Sequence, residues 1–324
     1  MSESSSRMTF SQTVEGLQIP GIISVEAFRS ALNYKPRDDD VFIVTYPKCG
    51  TTWTQNILIL IFNKGQPLKS QIEFHTASPY LDMTGAIAAE EMPRPNAIKF
   101  HLPYHLTPKS DKTKYIYVAR NPKDCCVSYF HHMKNFPFYG FTGTFNDYFE
   151  LFISGNIDYG DYFDHVLGWY AHRNDSNVLF LTYEEMKEDT AGAILKIASF
   201  IDDSLYAETL RNDPEILNNI IKFSSFSYMK DTVNKQVEQM MSMSKEEITN
   251  SFMNSQLKRV ITTFVHPNLE KMCREKDENS CFVRKGIVGD WKNYFSESQS
   301  RRMDEKFAER MKGTDLESLW KNYM

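Results

Sequence analysis

The stretch V-F-I-V-T-Y (Val41–Tyr46), P-K-C-G-T-T-W (Pro47–Trp53), T-Q-N-I-L-I-L-I-F-N-K (Thr54–Lys64) decides the fold. Its first run is apolar and β-rich and reads as a buried strand. A short loop carrying Pro47, Lys48 and Gly50 follows, and the longer apolar run reads as a helix. Strand, loop and helix in this order leave free N–H groups and a positive dipole end at the helix start, which suit an anion. Lys48 adds a mobile full charge, and Thr51 and Thr52 add hydroxyl donors.

Working outward, Ala97–Pro103 reads as a short strand that places Lys99 and His101 on one face by its period of two. Lys114–Ala119 is a second strong strand, running into Arg120-Asn-Pro-Lys-Asp124 and a helix over Cys125–Lys134. Asn177–Thr182 is a third strand, with a helix near Thr190–Phe200 beyond it. Strands alternating with helices predict one α/β domain: a central parallel sheet flanked by helices, with the ligand at the C-terminal strand ends. Lys48, Arg120 and Tyr183 then arrive at one edge. Far along the chain, F-V-R-K-G-I-V-G-D-W-K-N (Phe282–Asn293) forms a second basic loop, with Gly286 and Gly289 freeing backbone N–H groups. Two basic loops imply a ligand with two separated phosphates.

The net charge of −5 argues against a general nucleic-acid or membrane-surface binder, so the anion site is local. Five cysteines without a C-x-x-C pair fit reduced thiols in a cytoplasmic protein better than a disulfide framework or zinc. The start lacks the apolar core of a signal peptide. Residues 1–20 are set apart as a flexible segment and 21–324 as a single domain. G-x-x-x-x-G-K-[ST] is absent, and no strand-end Asp pair is evident for Mg²⁺, which weighs against an ATP-dependent kinase.

Y-P-K-C-G-T-T-W, A-R-N-P-K-D, S-S-F-S-Y-M (Ser224–Met229) and F-V-R-K-G-I-V-G-D-W-K-N, in this order, resemble the signatures of the cytosolic sulfotransferases over roughly residues 20–315. The resemblance implies a P-loop nucleotide-kinase-like fold. It also implies metal-independent transfer of a sulfuryl group from 3′-phosphoadenosine 5′-phosphosulfate (PAPS), leaving 3′-phosphoadenosine 5′-phosphate (PAP). By that resemblance Lys48, Gly50, Thr51 and Thr52 hold the 5′-phosphosulfate. Arg120 and Ser128, with Arg284, Lys285 and Gly286, hold the 3′-phosphate, and Phe282 belongs to the same loop. Trp53, Tyr183, Phe226 and Met229 frame the adenine, with Ser224 beside them. His101 is the catalytic base, and Lys99 and Lys48 stabilise charge around the transferring group. A P-loop small-molecule kinase using ATP and an inactive nucleotide-binding protein are the alternatives.

The acceptor side is less legible. Tyr80, Tyr129, Phe136, Phe138 and Phe141 are candidates for an apolar pocket, with His132 facing it, and a small phenol or phenolic monoamine is the expected acceptor. An amine would want a carboxylate, for which Asp82, Glu90, Glu91 and Asp147 stand unranked. Three departures from the family pattern matter. Cys49 stands where many relatives have Ser, which predicts an oxidant-sensitive thiol beside a basic loop. The span around 230–280 looks longer than usual and is expected to form a lid. The C-terminal dimer pattern K-x-x-x-T-V-x-x-x-E is poorly kept from Lys292 onward, which leaves the oligomeric state open.

Overall fold

The computed structural model describes residues 10–242, 247 and 283–324. Strands β1 (Ser11–Val14) and β2 (Leu17–Pro20) pair as an antiparallel hairpin. Of the segment expected to be flexible over 1–20, residues 1–9 lie outside the described residues; within 10–20 the hairpin is ordered instead, with Val14, Leu17 and Ile19 buried so that apolar burial fastens it to the body. Phe10 N also donates to the Tyr139 carbonyl at 2.6 Å, and Tyr159 N to that of Gln18 at 2.7 Å.

Helix α1 (Val25–Leu32) precedes β3 (Val41–Thr45), which is buried throughout and leads into α2 (Thr51–Phe62). Three short helices, α3 (Gln71–Ala77), α4 (Leu81–Thr84) and α5 (Ala86–Glu91), lead to β4 (Ile98–Phe100). Strand β5 (Lys114–Ala119) feeds α6 (Pro122–Asn135), where the Asn121 side chain caps the first turn and Pro122 opens it. Helices α7 (Phe145–Ser154) and α8 (Tyr162–Tyr170) precede β6 (Val178–Thr182), which runs directly into α9 (Tyr183–Glu188). Then come α10 (Thr190–Asp202), α11 (Glu208–Asn212), α12 (Pro214–Phe223) and α13 (Phe226–Ser242). The second basic loop leads to α14 (Glu297–Met311) and α15 (Leu316–Leu319). Most of the expected lid span, and Phe282, lie outside the described residues.

The sheet order is β4-β3-β5-β6, all parallel. Its strands alternate between two cores. Phe42, Val44, Tyr115 and Tyr117 face the side packed by Phe28, Phe130, Trp169 and Trp320. Val41, Ile43, Ile116 and Val118 face the side packed by Ile57, Leu58, Ile194 and Ile220. Both faces being covered explains why these strands read as continuous apolar runs. Because all four strands point the same way, the turns after β3, β4, β5 and β6 open on one edge. No helix among the described residues is long and apolar enough to cross a membrane.

Candidate active site

Gly50 is the N-cap of α2 at φ 107°, and no side chain caps the helix, so its first N–H groups are left for an anion. The position demands glycine twice. The backbone is left-handed, and a Cβ there would lie 2.9 Å from Cδ2 of Tyr183. Lys48, just before it, also has positive φ, at 72°, a strained conformation of the kind that gathers at functional sites. Burial, and then the charges of Lys99 and Arg120, push the Lys48 ammonium down to about 7. Cations crowd this site, which calls for an anionic ligand.

Arg120 leaves the end of β5 and ties the two basic loops together. Its NH1 donates to the Lys48 carbonyl at 3.3 Å and its NH2 to that of Ile287 at 3.1 Å. Its guanidinium lies 4.4 Å over the Tyr183 ring, while its buried Nε finds no partner. In the second loop, Arg284 and Lys285 bond Asp290 at 2.6 and 2.8 Å. Burial works against the Asp290 charge, yet hydrogen bonds from Lys285, Arg284 and Asn293 hold its carboxyl at about 2. NH1 of Arg284 is buried without a partner. The Asp124 carboxylate, in the first turn of α6, accepts from the backbone N–H groups of Gly289 at 2.7 Å and Trp291 at 3.0 Å and so sets the loop's shape. Ser128 sits half-buried one turn further along α6.

Gly286 lets an aromatic ring onto the loop backbone: a Cβ there would fall 2.3 Å from Cδ2 of Phe226. Trp53 stands edge-on to Tyr183 at 5.3 Å and packs on Met229 and Val233, its buried Nε1 unpartnered. Asn234 of α13 bonds both the N–H and the carbonyl of Val283, at 2.8 and 3.0 Å, and docks the second loop on that helix. The fold thus brings Lys48, Gly50, Thr51, Thr52, Trp53, Arg120 and Tyr183 together, with Phe226, Met229, Arg284, Lys285 and Gly286 around them. Ser224 differs: it is buried, and its hydroxyl turns back to the Ile221 carbonyl of its own helix at 3.5 Å.

His101 follows β4 directly. Its Nδ1 lies 2.8 Å from the Thr45 carbonyl, which only accepts, so Nδ1 carries the proton and Nε2 the lone pair. Thr45 in turn bonds Thr51 at 2.6 Å, coupling the histidine to the phosphate loop. The His101 backbone is fixed on both sides. Its N–H donates to Asp82 at 3.0 Å, and its carbonyl accepts from His165 Nε2 at 3.0 Å. His165 Nδ1 accepts from the Tyr117 hydroxyl at 2.9 Å. Burial, then the charge of Lys99, holds the His101 imidazole well below its usual value, so it is neutral at pH 7. Lys99 itself is lowered by burial to about 8, and its ammonium lies 4.0 Å over the Tyr80 ring, which also stands 5.4 Å from His101.

On the acceptor side, His132 Nδ1 lies 3.4 Å from Lys48 Nζ, and its Nε2 lies 3.1 Å from the Tyr139 hydroxyl. Phe136 packs on His132 and Phe138 on Phe136, at 4.7 and 5.4 Å. Tyr129 is buried beside His132, its hydroxyl unpartnered. Phe141 packs instead on Phe130 and Tyr148, in the core. Sequence reasoning missed Thr45 and Tyr159, which lie against His101. The Tyr159 hydroxyl bonds Asp82 at 3.1 Å and also the Tyr80 hydroxyl. Only the fold brings these residues to His101, so no local signal marked them.

The expectation for Cys49 is corrected. Its thiol is fully buried, 3.6 Å from that of Cys125, whose Sγ reaches the Pro47 carbonyl at 3.3 Å. Burial, then Cys125, pushes the Cys49 thiol well above its usual value, which makes it a packing group rather than a reactive one. We expect peroxide to leave Cys49 unmodified in the native protein, as read by mass spectrometry after thiol labelling. A sulfenic acid at Cys49 under mild oxidant would refute this.

A strand–loop–helix anion site tied by Arg120 to a basic second loop, with a neutral histidine beside the first, suits a transferase that handles a phosphate-bearing donor. The sulfotransferase domain family matches residues 38–264 and 246–315. The amine sulfotransferase of Oryctolagus cuniculus is 33% identical over 305 residues, covering 92% of this chain and 89% of its own length. Sulfotransferase 1B1 of Mus musculus is 36% identical over 289 residues, covering 86% and 84%. A mouse sulfotransferase solved in complex with PAP superposes with a TM-score of 0.69 at 30% identity, covering 97% and 98%. The chain belongs to the sulfotransferase family, and its activity is sulfuryl transfer.

Proposed function

We propose that this chain transfers a sulfuryl group from PAPS to the hydroxyl of a small phenol or phenolic monoamine. One observation carries the reading: Lys48 and Lys99 crowd a neutral His101 whose lone pair is on Nε2, with bare helix N–H groups beside Lys48. The residues fit a donor with two phosphates, since NH1 of Arg284 and Nε of Arg120 are buried with their protons unmatched. Lys48, Gly50, Thr51 and Thr52 would hold the 5′-phosphosulfate. Arg120, Ser128, Arg284, Lys285 and Gly286 would hold the 3′-phosphate, Arg matching it through a planar fork. Trp53, Tyr183, Phe226 and Met229 would frame the adenine, with Ser224 behind them.

Bound PAPS supplies a sulfuryl group already activated by its link to phosphate. This chain's residues do the rest. His101 Nε2 takes the proton from the acceptor hydroxyl, and Thr45 holds the imidazole in the tautomer that can do so. Lys48 offsets the charge growing on the leaving phosphate, and Lys99 that on the sulfuryl oxygens. Asp124 and Asp290, at the second loop, are committed to backbone amides and to Arg284 and Lys285, so neither is open to a metal ion there as the kinase alternative would want.

Lys48, near 7 with no anion bound, gives a pH signature. Above that value much of it is neutral, so an arriving anion raises its pKa and a proton is taken up. At about pH 8, PAP binding should show an enthalpy that varies with the buffer's ionisation enthalpy, in the sense of uptake. Calorimetry in HEPES and Tris tests this, and equal enthalpies in both would reject it. For the function itself, labelled PAPS with a panel of phenols, monoamines and steroids should yield labelled phenol sulfates. A panel with no labelled product, beside phosphoryl transfer from ATP, would refute it.

A further inference from the structure

Behind Arg120 the clamp is braced by the segment that follows α15. Strands β5 and β6 stop pairing at Ala119 and Thr182, and Arg120 and Tyr183 come next. One residue further on, a side chain takes over from the ladder. Glu184 is 1% exposed, and its Oε1 accepts from the Asn121 N–H at 3.0 Å. Its Oε2 accepts at 2.9 Å from the indole of Trp320, which is fully buried. Burial raises the Glu184 carboxyl, and those two donors, then the Arg120 charge, pull it back. A buried carboxylate held this way is costly to leave half matched.

Asn121 carries a second thread. Its Oδ1 caps α6 through the Lys123 N–H at 2.9 Å, and its Nδ2 donates to the Tyr323 carbonyl at 2.8 Å. The same carbonyl accepts from Trp291 Nε1 at 2.8 Å. Trp291 belongs to the second basic loop, where its N–H donates to Asp124 and the Lys123 ammonium lies 4.2 Å over its ring. The Tyr323 hydroxyl bonds Glu188 at the end of α9. The N–H groups of Tyr323 and Met324 turn back on the Trp320 carbonyl, at 2.8 and 3.1 Å. The segment Trp320–Met324 thus reaches the end of β5, the start of α9 and the second loop. These are the pieces that Arg120 joins, through Tyr183 and the Ile287 carbonyl.

We infer that Trp320–Met324 is a positioning segment for the 3′-phosphate half of the clamp. By sharing the Tyr323 carbonyl between Asn121 and Trp291, it sets the spacing between Arg120 and the Arg284-Lys285-Gly286 loop, so that seating the segment and binding the 3′-phosphate favour each other. This rests on the PAPS reading. The phosphate loop has its own supports, the turn at Gly50 and the bond from Thr45 to Thr51, so the 5′-phosphate depends on the segment far less. Such a coupling is reciprocal: what the segment adds to PAP affinity, PAP adds to the seating of the segment.

Deleting Tyr323 and Met324 removes the shared carbonyl and leaves Trp320 in the core. PAP affinity, by calorimetry, should fall about 10-fold or more, as for buried donors left unmatched, while 5′-AMP affinity changes by less than about twofold. The KM for PAPS should rise in step while kcat holds. Trp320→Phe, which keeps a ring in the core and removes the donor to Glu184, should act in the same direction. In the wild-type protein, PAP should slow hydrogen exchange at the Tyr323 and Met324 amides by about 10-fold, and 5′-AMP should not. Unchanged PAP affinity in both variants, or equal loss of PAP and 5′-AMP, would overturn the coupling, as would exchange at those amides that PAP leaves unaltered. If the wild-type protein binds PAP no more tightly than 5′-AMP, the two-phosphate reading fails and the coupling with it. If that preference stands and both variants keep it, the coupling alone fails.

Discussion

His101→Ala lowers kcat by about 10²–10⁴-fold, the range for loss of a general base, while PAP affinity stays as in the wild type. The split follows from position. His101 is hydrogen-bonded toward the phosphate loop through Thr45, which still bonds Thr51 when the imidazole is gone. The base is available at neutral pH because burial and Lys99 keep it uncharged. A group with a lowered pKa loses its lone pair only as pH falls through that lowered value. The wild-type rate should therefore hold from pH 7 down to well below the ordinary histidine value, then drop. Steady-state kinetics across pH, with fluorescence titration of PAP, measures both. Near-full turnover by His101→Ala would remove it from the chemistry.

Lys48→Met should cost about 10³-fold in kcat/KM for PAPS, as for removal of a main transition-state donor. Unlike the histidine change, it should also weaken PAP. Lys48 is held by a left-handed backbone and by Arg120 on its carbonyl, so its ammonium is aimed rather than merely nearby. Lys48→Arg keeps the charge but carries it on a wider planar fork, and should recover only a small part of the rate. If Lys48→Arg is fully active, a diffuse positive field is enough and the aimed ammonium is not needed.

What was legible in the sequence is what local pattern encodes. The three strands Val41–Thr45, Lys114–Ala119 and Val178–Thr182 lie where the apolar runs placed them, because a sheet covered on both faces writes itself as continuous apolar sequence. The meeting of Lys48, Arg120 and Tyr183 followed from parallel strands alone. The hairpin was lost because its alternation is short and its burial is set by distant partners. Cys49 was misjudged because its neighbour, Cys125, stands 76 residues away.

Arg120 and the two basic loops form a clamp for two phosphates, and comparing PAP with 5′-AMP by calorimetry measures what the second phosphate contributes. The wild-type protein should bind PAP about 100-fold or more tightly than 5′-AMP, given charge-assisted bonds from Arg120 and Arg284 to the extra phosphate. Arg284→Ala should then close most of that gap. Equal affinity for the two nucleotides, or a gap that survives Arg284→Ala unchanged, would contradict it.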